Sequence, residues 1–208
     1  MSLDTETSPV STARGRIAIL GSGKGSNARA ILEAIKSDVL AAEVSLVVSD
    51  RQDAGILEVA AEYGVPSLFV DPGDGKRGYI SDDALQQITD QLCAASVEWV
   101  ILAGFMKIVR SPLLSEFENR ILNLHPSLLP KYPGLNTVTR AIDAGDREAG
   151  CTIHLVDTGV DTGKILHQER VPIVGGDSVE SVTTKIHAAE HRVYPMVIGE
   201  VIATKGEK

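Results

Sequence analysis

Two side chains that could assist carbonyl chemistry lie near the middle of the chain. Asn123 and His125 alternate with Leu122 and Leu124, and Pro126 follows at once. In a β-strand, residues two apart share a face, so the asparagine and histidine point one way while the leucines turn into the core. An asparagine amide can donate to a developing oxyanion, and a histidine can hold or transfer a proton. The pair predicts an active site at a strand end.

A carboxylate that orients the imidazole would complete this pair. Asp161, in a loop rich in Asp, Thr and Gly, is the preferred candidate, and Asp157 in the same loop is its rival. Aspartates in such loops commonly form turns, so spacing alone leaves both roles open for Asp161. No serine stands in a G-x-S-x-G nucleophile elbow, which argues against a covalent acyl-enzyme.

A second candidate site is the glycine-rich segment Gly21–Asn27. A predicted strand runs into it and a helix follows, so backbone N–H groups point outward at the positive end of the helix dipole, where a phosphate can bind. Ser26 and Asn27 can add side-chain donors, and Ser26 can also cap the helix. The alternative is a tight turn with a capped helix, which three glycines in five residues disfavour.

Two familiar nucleotide-binding motifs are incomplete in this segment. The dinucleotide fingerprint G-x-G-x-x-G begins at Gly21 and Gly23 but fails at Ser26. Asp50, which ends the second predicted strand, keeps a dinucleotide-binding dehydrogenase or a catalytically silent nucleotide sensor open. The P-loop pattern is absent because Lys24 lies between glycines and no Gly-Lys-Ser run follows, so an NTPase is not predicted.

The last predicted helix carries a pattern typical of zinc proteases. His187, Glu190 and His191 match H-x-x-E-H, with two histidines four apart on one helical face. Only 17 residues follow, too few for a third ligand and a substrate cleft, so we expect no metal.

Cys93 and Cys151 lack CxxC spacing, and we expect both to be buried thiols.

The composition bounds the class of protein. The 208 residues, 43% of them hydrophobic, suffice for one sizeable core. A net charge of -8 argues against a nucleic-acid partner, because phosphate backbones are bound by clustered Lys and Arg. No apolar run reaches the roughly 18 residues of a membrane helix, and the acidic, Ser/Thr-rich start does not look like a signal peptide. We expect a cytoplasmic protein.

The elements that would position these residues alternate along the chain. Short β-branched apolar runs alternate with amphipathic stretches, which predicts an α/β fold built on an open, mostly parallel twisted sheet with helices on both faces. Ligands of such sheets bind beyond the carboxyl ends of the strands. The predicted strands are 16–20, 44–48, 66–70, 97–102, 120–124, 151–156 and 164–173, and the predicted helices are 26–36, 54–63, 81–95, 137–144 and 177–203.

We expect one domain over residues 15–208, preceded by a disordered tail at 1–14. No repeat and no interdomain linker interrupts the alternation of elements. The segment Asp71–Gly78, with one proline, three glycines and mixed charges, is the best candidate for a mobile loop.

Taken together, four segments resemble the phosphoribosylglycinamide (glycinamide ribonucleotide) formyltransferases of the folate-dependent purine pathway. They are residues 21–27, 102–106, 123–134 and 161–163, and the likeness extends from Arg16 to the final helix. The third segment is specific for the formyltransferase-fold superfamily, whose N-terminal half is Rossmann-like. The resemblance implies direct transfer of the formyl group of 10-formyltetrahydrofolate, as co-substrate, to the amine of glycinamide ribonucleotide.

The resemblance also implies roles for individual residues. It assigns catalysis to Asn123, His125 and Asp161, with the asparagine and protonated histidine stabilising an oxyanion. It assigns the substrate phosphate and ribose to Gly25, Ser26, Asn27 and Glu190. It assigns folate to Leu102, Gly104, Phe105, Met106, Lys107, Ile108, Val109 and Asp157, with Lys76 or Arg77 meeting the glutamate tail. The implied partners are small molecules, without nucleic acid or membrane, and a homodimer is left open.

Some positions depart from the family pattern. Asn136 and Val138 stand where some members have histidines, and Thr162 stands where glycine is frequent. Lys107 replaces an arginine, and Thr152 a serine, of some members. Methionyl-tRNA formyltransferase and formyltetrahydrofolate hydrolase would share the catalytic trio, but they should bring a C-terminal domain or an N-terminal regulatory module. We therefore expect neither of them here.

Overall fold

The computed structural model describes residues 14–74 and 78–204. Lys76, Arg77 and the predicted tail before Arg14 lie outside the described residues. The strands are β1 (Gly15–Leu20), β2 (Ala42–Ser49), β3 (Ser67–Phe69), β4 (Trp99–Leu102), β5 (Ile121–His125), β6 (Glu148–Leu155) and β7 (Ile165–Pro172). The helices are α1 (Ser26–Lys36), α2 (Gly55–Glu62), α3 (Asp82–Ala94), α4 (Leu113–Glu116), α5 (Thr137–Asp143) and α6 (Val179–Thr204).

These strands form one sheet in the order β3-β2-β1-β4-β5-β6-β7. The pairs among β1 to β5 are parallel, whereas β6 runs antiparallel to both of its neighbours. The prediction of an open, mostly parallel α/β sheet is confirmed. The reversed β6 has a consequence for the site, because its register places His154 opposite Asn123 and Thr152 opposite His125.

Helices cover both faces of the sheet, as predicted. In β1, Ile17 and Ile19 face one core and Ala18 and Leu20 face the other, and all four are fully buried. The first core includes residues of α1, α2, α5 and α6, and the second includes residues of α3 and α4. A strand that is buried on both faces carries apolar residues at successive positions, which explains why the apolar residues of β1 do not alternate with polar ones.

The predicted elements are all present; the bounds of α1 match, and those of the other elements are shifted by at most three residues. The helix α4 was not predicted, because four residues are too few to show a helical period.

The expectation of two buried thiols is wrong for Cys93, which lies on the exposed side of α3, whereas Cys151 in β6 is buried. Burial raises the pKa of Cys151 to about 12, so this thiol is not a ready nucleophile.

A tyrosine of α6 ties that helix to the strands that precede the site. The Tyr194 hydroxyl donates to the carbonyls of Leu102, at 2.9 Å, and Leu122, at 3.3 Å. Complete burial raises the pKa of Tyr194 well above its usual value, so the hydroxyl keeps its proton. Tyr194 therefore fastens α6 to the last residue of β4 and to the second residue of β5. Among the helices of the described ranges, none has the length and apolar character needed to cross a membrane.

Candidate active site

Strand β5 ends at the site, and its last residues converge on one carboxylate. Asp161 directs Oδ1 toward Asn123 Nδ2 and Oδ2 toward His125 Nδ1, each at 3.4 Å. The three residues predicted to act together are thus adjacent. The rival Asp157 has a different function: its Oδ1 accepts from the Gly159 N–H at 3.0 Å and the Thr162 hydroxyl at 2.7 Å, so it shapes the loop.

The Asp161 carboxylate is held in place by its backbone and by neighbouring donors. Its φ of 56° lies in the left-handed region, which few non-glycine residues adopt without support. The backbone N–H of Gly134 donates to Oδ2 at 2.9 Å. Burial acts to raise the pKa of Asp161, but the contact with His154, the Gly134 N–H and the charges of His125 and His154 outweigh it, and the pKa lies below its usual value. Asp161 is therefore ionised at neutral pH.

The imidazole of His125 has an acceptor beside each ring nitrogen. Nε2 lies 2.9 Å from the carbonyl oxygen of Tyr132, and Nδ1 faces Asp161. A neutral imidazole carries one N–H and can satisfy only one of these acceptors, whereas the imidazolium satisfies both. The side chain that meets both acceptors is only 7% exposed.

Sequence reasoning missed a second histidine at this site. His154 is buried in β6, and its Nε2 lies 3.1 Å from Asn123 Nδ2 and 3.6 Å from Asp161 Oδ1. Its Nδ1 donates to the Leu155 carbonyl at 2.8 Å, so in the neutral ring Nε2 accepts from the asparagine amide. Polar Thr152 and His154 alternate within an apolar run, which is a usable signal. Placing them opposite β5, however, requires knowing that β6 is antiparallel.

The glycine-rich segment leads into α1, as predicted, but its serine is not the cap. Gly25 is the N-cap at φ 80°, and no side chain caps the helix. A Cβ at Gly25 would lie 2.7 Å from the Ile56 Cα, and one at Gly21 would lie 2.8 Å from the Ala103 carbonyl oxygen. Close packing against neighbouring elements thus explains these two glycines. The uncapped start of α1 remains suited to an anion.

The segment is joined to the other parts of the site by two hydrogen bonds. Ser22 Oγ accepts from the Met106 N–H at 2.8 Å, which ties the segment to the loop after β4. Asn27 Nδ2 donates to Glu190 Oε2 at 3.0 Å, which ties α1 to α6. Burial raises the pKa of Glu190, although the Asn27 bond and the charge of His187 act the other way. The predicted phosphate and ribose residues therefore lie together.

The predicted folate strip is divided between core and surface. Leu102, Phe105 and Val109 are buried in the core, whereas Met106 is 60% exposed. Exposed apolar side chains also occur in the two neighbouring loops, at Leu135 and Val160. Leu135 and Val160 adjoin Gly134 and Asp161 in sequence, so exposed apolar side chains flank the residues that meet at the carboxylate.

Asp50, the residue that left a dinucleotide site open as an alternative, lies beside a lysine of the same chain. Its buried Oδ2 lies 3.7 Å from the ammonium of Lys107. In this conformation Lys107 is directed toward β2. The other oxygen, Oδ1, is buried and accepts no hydrogen bond from the described residues.

The zinc-like motif of α6 has its side chains turned to different neighbours. The rings of His187 and His191 are stacked 6.3 Å apart, while Glu190 is directed at Asn27. No group of three or more His, Cys, Asp or Glu residues suited to a metal occurs among residues 14–74 and 78–204.

The positions that depart from the family pattern also have local roles: Asn136 is the N-cap of α5, with φ 58°, and Val138 is buried.

Known proteins resemble this chain over nearly its whole length. The formyl transferase family model matches residues 15–198. Phosphoribosylglycinamide formyltransferase of Bacillus subtilis is 37% identical over 93% of this chain and 98% of that protein. The trifunctional purine biosynthetic protein adenosine-3 of Drosophila pseudoobscura is 44% identical over 91% of this chain, which spans 14% of that protein's length.

The fold likeness to solved structures is equally extensive. Glycinamide ribonucleotide transformylase 1 from Symbiobacterium toebii superposes with a TM-score of 0.87 at 43% identity, covering 92% of this chain and 89% of that one. Phosphoribosylglycinamide formyltransferase from Bacillus halodurans gives a TM-score of 0.84 at 40% identity, covering 90% of this chain and 95% of that one.

Proposed function

The chain belongs to the formyl transferase family, and from this premise we propose that it transfers a formyl group to the amine of glycinamide ribonucleotide in purine biosynthesis. The observation that carries the proposal is the meeting of Asn123, His125 and Asp161 at the end of β5. These three side chains meet at the carboxyl edge of the sheet, where ligands of open sheets bind. We assign the reaction to the cytoplasm, with small molecules as the partners.

We propose 10-formyltetrahydrofolate as the formyl donor. Exposed Met106, Leu135 and Val160 border the site and could cover the two faces of a pterin, while main-chain groups of the loop after β4 could bind its edge. Asp157 and Thr162 keep the adjoining loop folded beside it. The glutamate tail, for which Lys76 and Arg77 remain the predicted contacts, would extend toward Asp71–Gly78. No step of the proposal uses a metal ion.

The acceptor would be anchored at the other end of the site. Its phosphate would accept from the backbone N–H groups at the start of α1, around Gly25, Ser26 and Asn27, where the helix dipole favours negative charge. Its ribose hydroxyls would meet Glu190, which Asn27 already holds. This arrangement would direct the amine toward Asn123 and His125.

The amine would then attack the formyl carbon, forming a C–N bond and a tetrahedral oxyanion. Asn123 would donate to this oxygen by giving up its contact with Asp161, whose 3.4 Å exceeds a usual N–H···O distance. The positive ring of His125 would offset the charges of the oxyanion and of Asp161. Collapse would break the bond to the folate nitrogen, which receives the proton that the amine releases.

A spectrophotometric assay of folate product tests this proposal. Purified protein is given 10-formyltetrahydrofolate with glycinamide ribonucleotide, and a parallel reaction lacks the acceptor. We expect tetrahydrofolate to form only when the acceptor is present. Equal rates in both reactions would instead favour a formyltetrahydrofolate hydrolase, and the absence of turnover in either would refute formyl transfer to this acceptor.

A further inference from the structure

A strained backbone residue supplies one of the two acceptors of His125. Tyr132 has φ 56°, in the left-handed region that is unusual for an aromatic residue, and its carbonyl oxygen lies 2.9 Å from His125 Nε2. Such conformations persist only where the surroundings enforce them, and they cluster at functional sites. The direction of this carbonyl is therefore set by whatever holds Tyr132.

The hydroxyl of Ser127 holds the peptide groups on both sides of Tyr132. Its Oγ lies 2.6 Å from the Lys131 carbonyl oxygen and 3.3 Å from the Tyr132 carbonyl oxygen. These two carbonyls flank the Tyr132 Cα, so contacts to both restrain its φ and ψ together. Ser127 is itself only 3% exposed, and its N–H donates to the His125 carbonyl at 2.9 Å. The serine thus links the histidine backbone to the group that its ring contacts.

The edge of the sheet braces this serine from behind. Thr152, fully buried in β6, donates its hydroxyl to the Ser127 carbonyl at 2.6 Å. Thr152 Oγ1 in turn accepts from the Leu129 N–H at 3.1 Å and from Gln168 Nε2, in β7, at 2.9 Å. On the solvent side, the Tyr132 phenol donates to Asp146 at 3.0 Å. The turn is held from both sides, and Ser127 is the point nearest to the histidine.

We propose that Ser127 is a positioning residue that keeps the Tyr132 carbonyl on His125 Nε2 and thereby fixes the orientation and protonation of the ring. With Asp161 at Nδ1, this carbonyl gives the ring two acceptors, which only the imidazolium satisfies. Without the serine hydroxyl, Tyr132 can leave its strained conformation and turn the carbonyl away. A ring with one acceptor needs one N–H and is free to tilt.

Nitrogen NMR of the histidine side chains in the free protein tests this inference without any substrate. We expect His125 to show a hydrogen-bonded Nε2–H in the unmodified protein and to lose or shift that resonance in Ser127→Ala. The resonances of His154, whose partners are Asn123 and Leu155, should change little. Identical His125 resonances in both proteins would overturn the proposal.

Kinetics test the consequence for the reaction, and this step rests on the proposed function. We expect Ser127→Ala to lower kcat by about 10- to 100-fold, as small misplacements of catalytic groups do, with KM for both substrates nearly unchanged and an altered pH profile of kcat. Ser127→Thr should preserve kcat, because it keeps the hydroxyl and its methyl can enter the adjoining cavity of about 250 Å³.

A matched control separates positioning from loss of a buried hydrogen bond. Thr89 in α3 donates its buried hydroxyl to the Leu85 carbonyl at 2.7 Å, away from the site. Thr89→Val should lose stability and keep both kcat and its pH profile. A Ser127→Ala variant that keeps wild-type kcat and pH profile would contradict the proposal. Absence of formyl transfer in the unmodified protein would refute the proposed function alone, because the ring NMR of the free protein would still stand.

Discussion

At the residue scale, the Asp161 carboxylate organises the site by dividing its two oxygens. Oδ1 faces Asn123 and His154, while Oδ2 faces His125 and the Gly134 N–H. One side therefore meets a neutral amide and the other an imidazole that also has a second acceptor. In the proposed mechanism, this division lets an amide donor and a charged ring act on one substrate oxygen from neighbouring positions.

Sequence reasoning reached part of this arrangement. The period of two in β5 identified Asn123 and His125, and the choice of Asp161 over Asp157 is supported by the distances. It missed His154 because residues 31 apart meet only through strand pairing. It also missed the main-chain partners of the site, which are the Tyr132 carbonyl and the Gly134 N–H. Every residue type has such groups, so they can be placed only when the backbone conformation is known.

Removal of the Asn123 amide should impair turnover far more than folding. We expect Asn123→Ala to lower kcat by about 10²- to 10³-fold, the effect of losing one oxyanion donor, while the cooperative thermal transition is retained. Gln86→Ala, which removes an exposed amide on α3, is the control and should leave kcat unchanged. Near-normal turnover of Asn123→Ala, measured under saturating substrates, would remove Asn123 from the proposed mechanism.

At the element scale, the site depends on how strands and helices end. Strands β4 and β5 are both fastened to α6 by Tyr194, and α1 is joined to α6 through Asn27 and Glu190. The hydrophobic periods predicted each of these elements. They did not predict the antiparallel direction of β6, because alternation within a strand carries no information about its neighbours.

The start of α6 has an acidic residue whose effect on stability depends on pH. Hydrogen bonds from Lys185, the Val174 N–H and Ser181 lower the pKa of Asp177 to about 2. A carboxylate whose pKa falls on folding stabilises the protein above its unfolded pKa of about 3.9, and this stabilisation is lost as the pH falls toward the folded value. Asp177 should therefore stabilise α6 at neutral pH and cease to do so in strong acid.

The substitution Asp177→Asn tests this pH dependence. We expect the variant to be less stable than the unmodified protein between pH 5 and 7, with the difference shrinking below about pH 4. Urea unfolding at a series of pH values measures the difference. Asp143→Asn, at an exposed position of α5, is the control for the loss of one negative charge. A deficit for Asp177→Asn that is constant from pH 7 to 3 would contradict the assignment.

At the scale of the whole molecule, the proposed sites of the two substrates share one edge of the sheet. The glycine-rich segment is joined to α6 through Asn27 and Glu190 and to the loop after β4 through Ser22 and Met106, while Leu135 and Val160 adjoin Gly134 and Asp161 in sequence. The proposed catalytic trio meets at the end of β5. Composition and alternation predicted this general plan, whereas the contact of Asp50 with Lys107 became known only from the structure.

Ligand-induced stabilisation distinguishes a formyltransferase site from a dinucleotide-binding site at this edge of the sheet. A ligand that binds only the folded protein raises Tm, by roughly the effect of 2.7 kcal/mol at a concentration of 100 Kd. We expect glycinamide ribonucleotide with a folate analogue to raise Tm and NAD to leave it unchanged. Stabilisation by NAD alone would favour a dinucleotide-binding protein.

The most direct test of the central claim follows the formyl carbon itself. An isotopically labelled formyl group on tetrahydrofolate is mixed with excess enzyme and glycinamide ribonucleotide for a single turnover, and the products are identified by mass spectrometry. The account predicts that the label appears on the amine of glycinamide ribonucleotide in the unmodified protein, and that it is transferred far more slowly by Asn123→Ala. Label recovered as free formate, or equal transfer by both proteins, would contradict it.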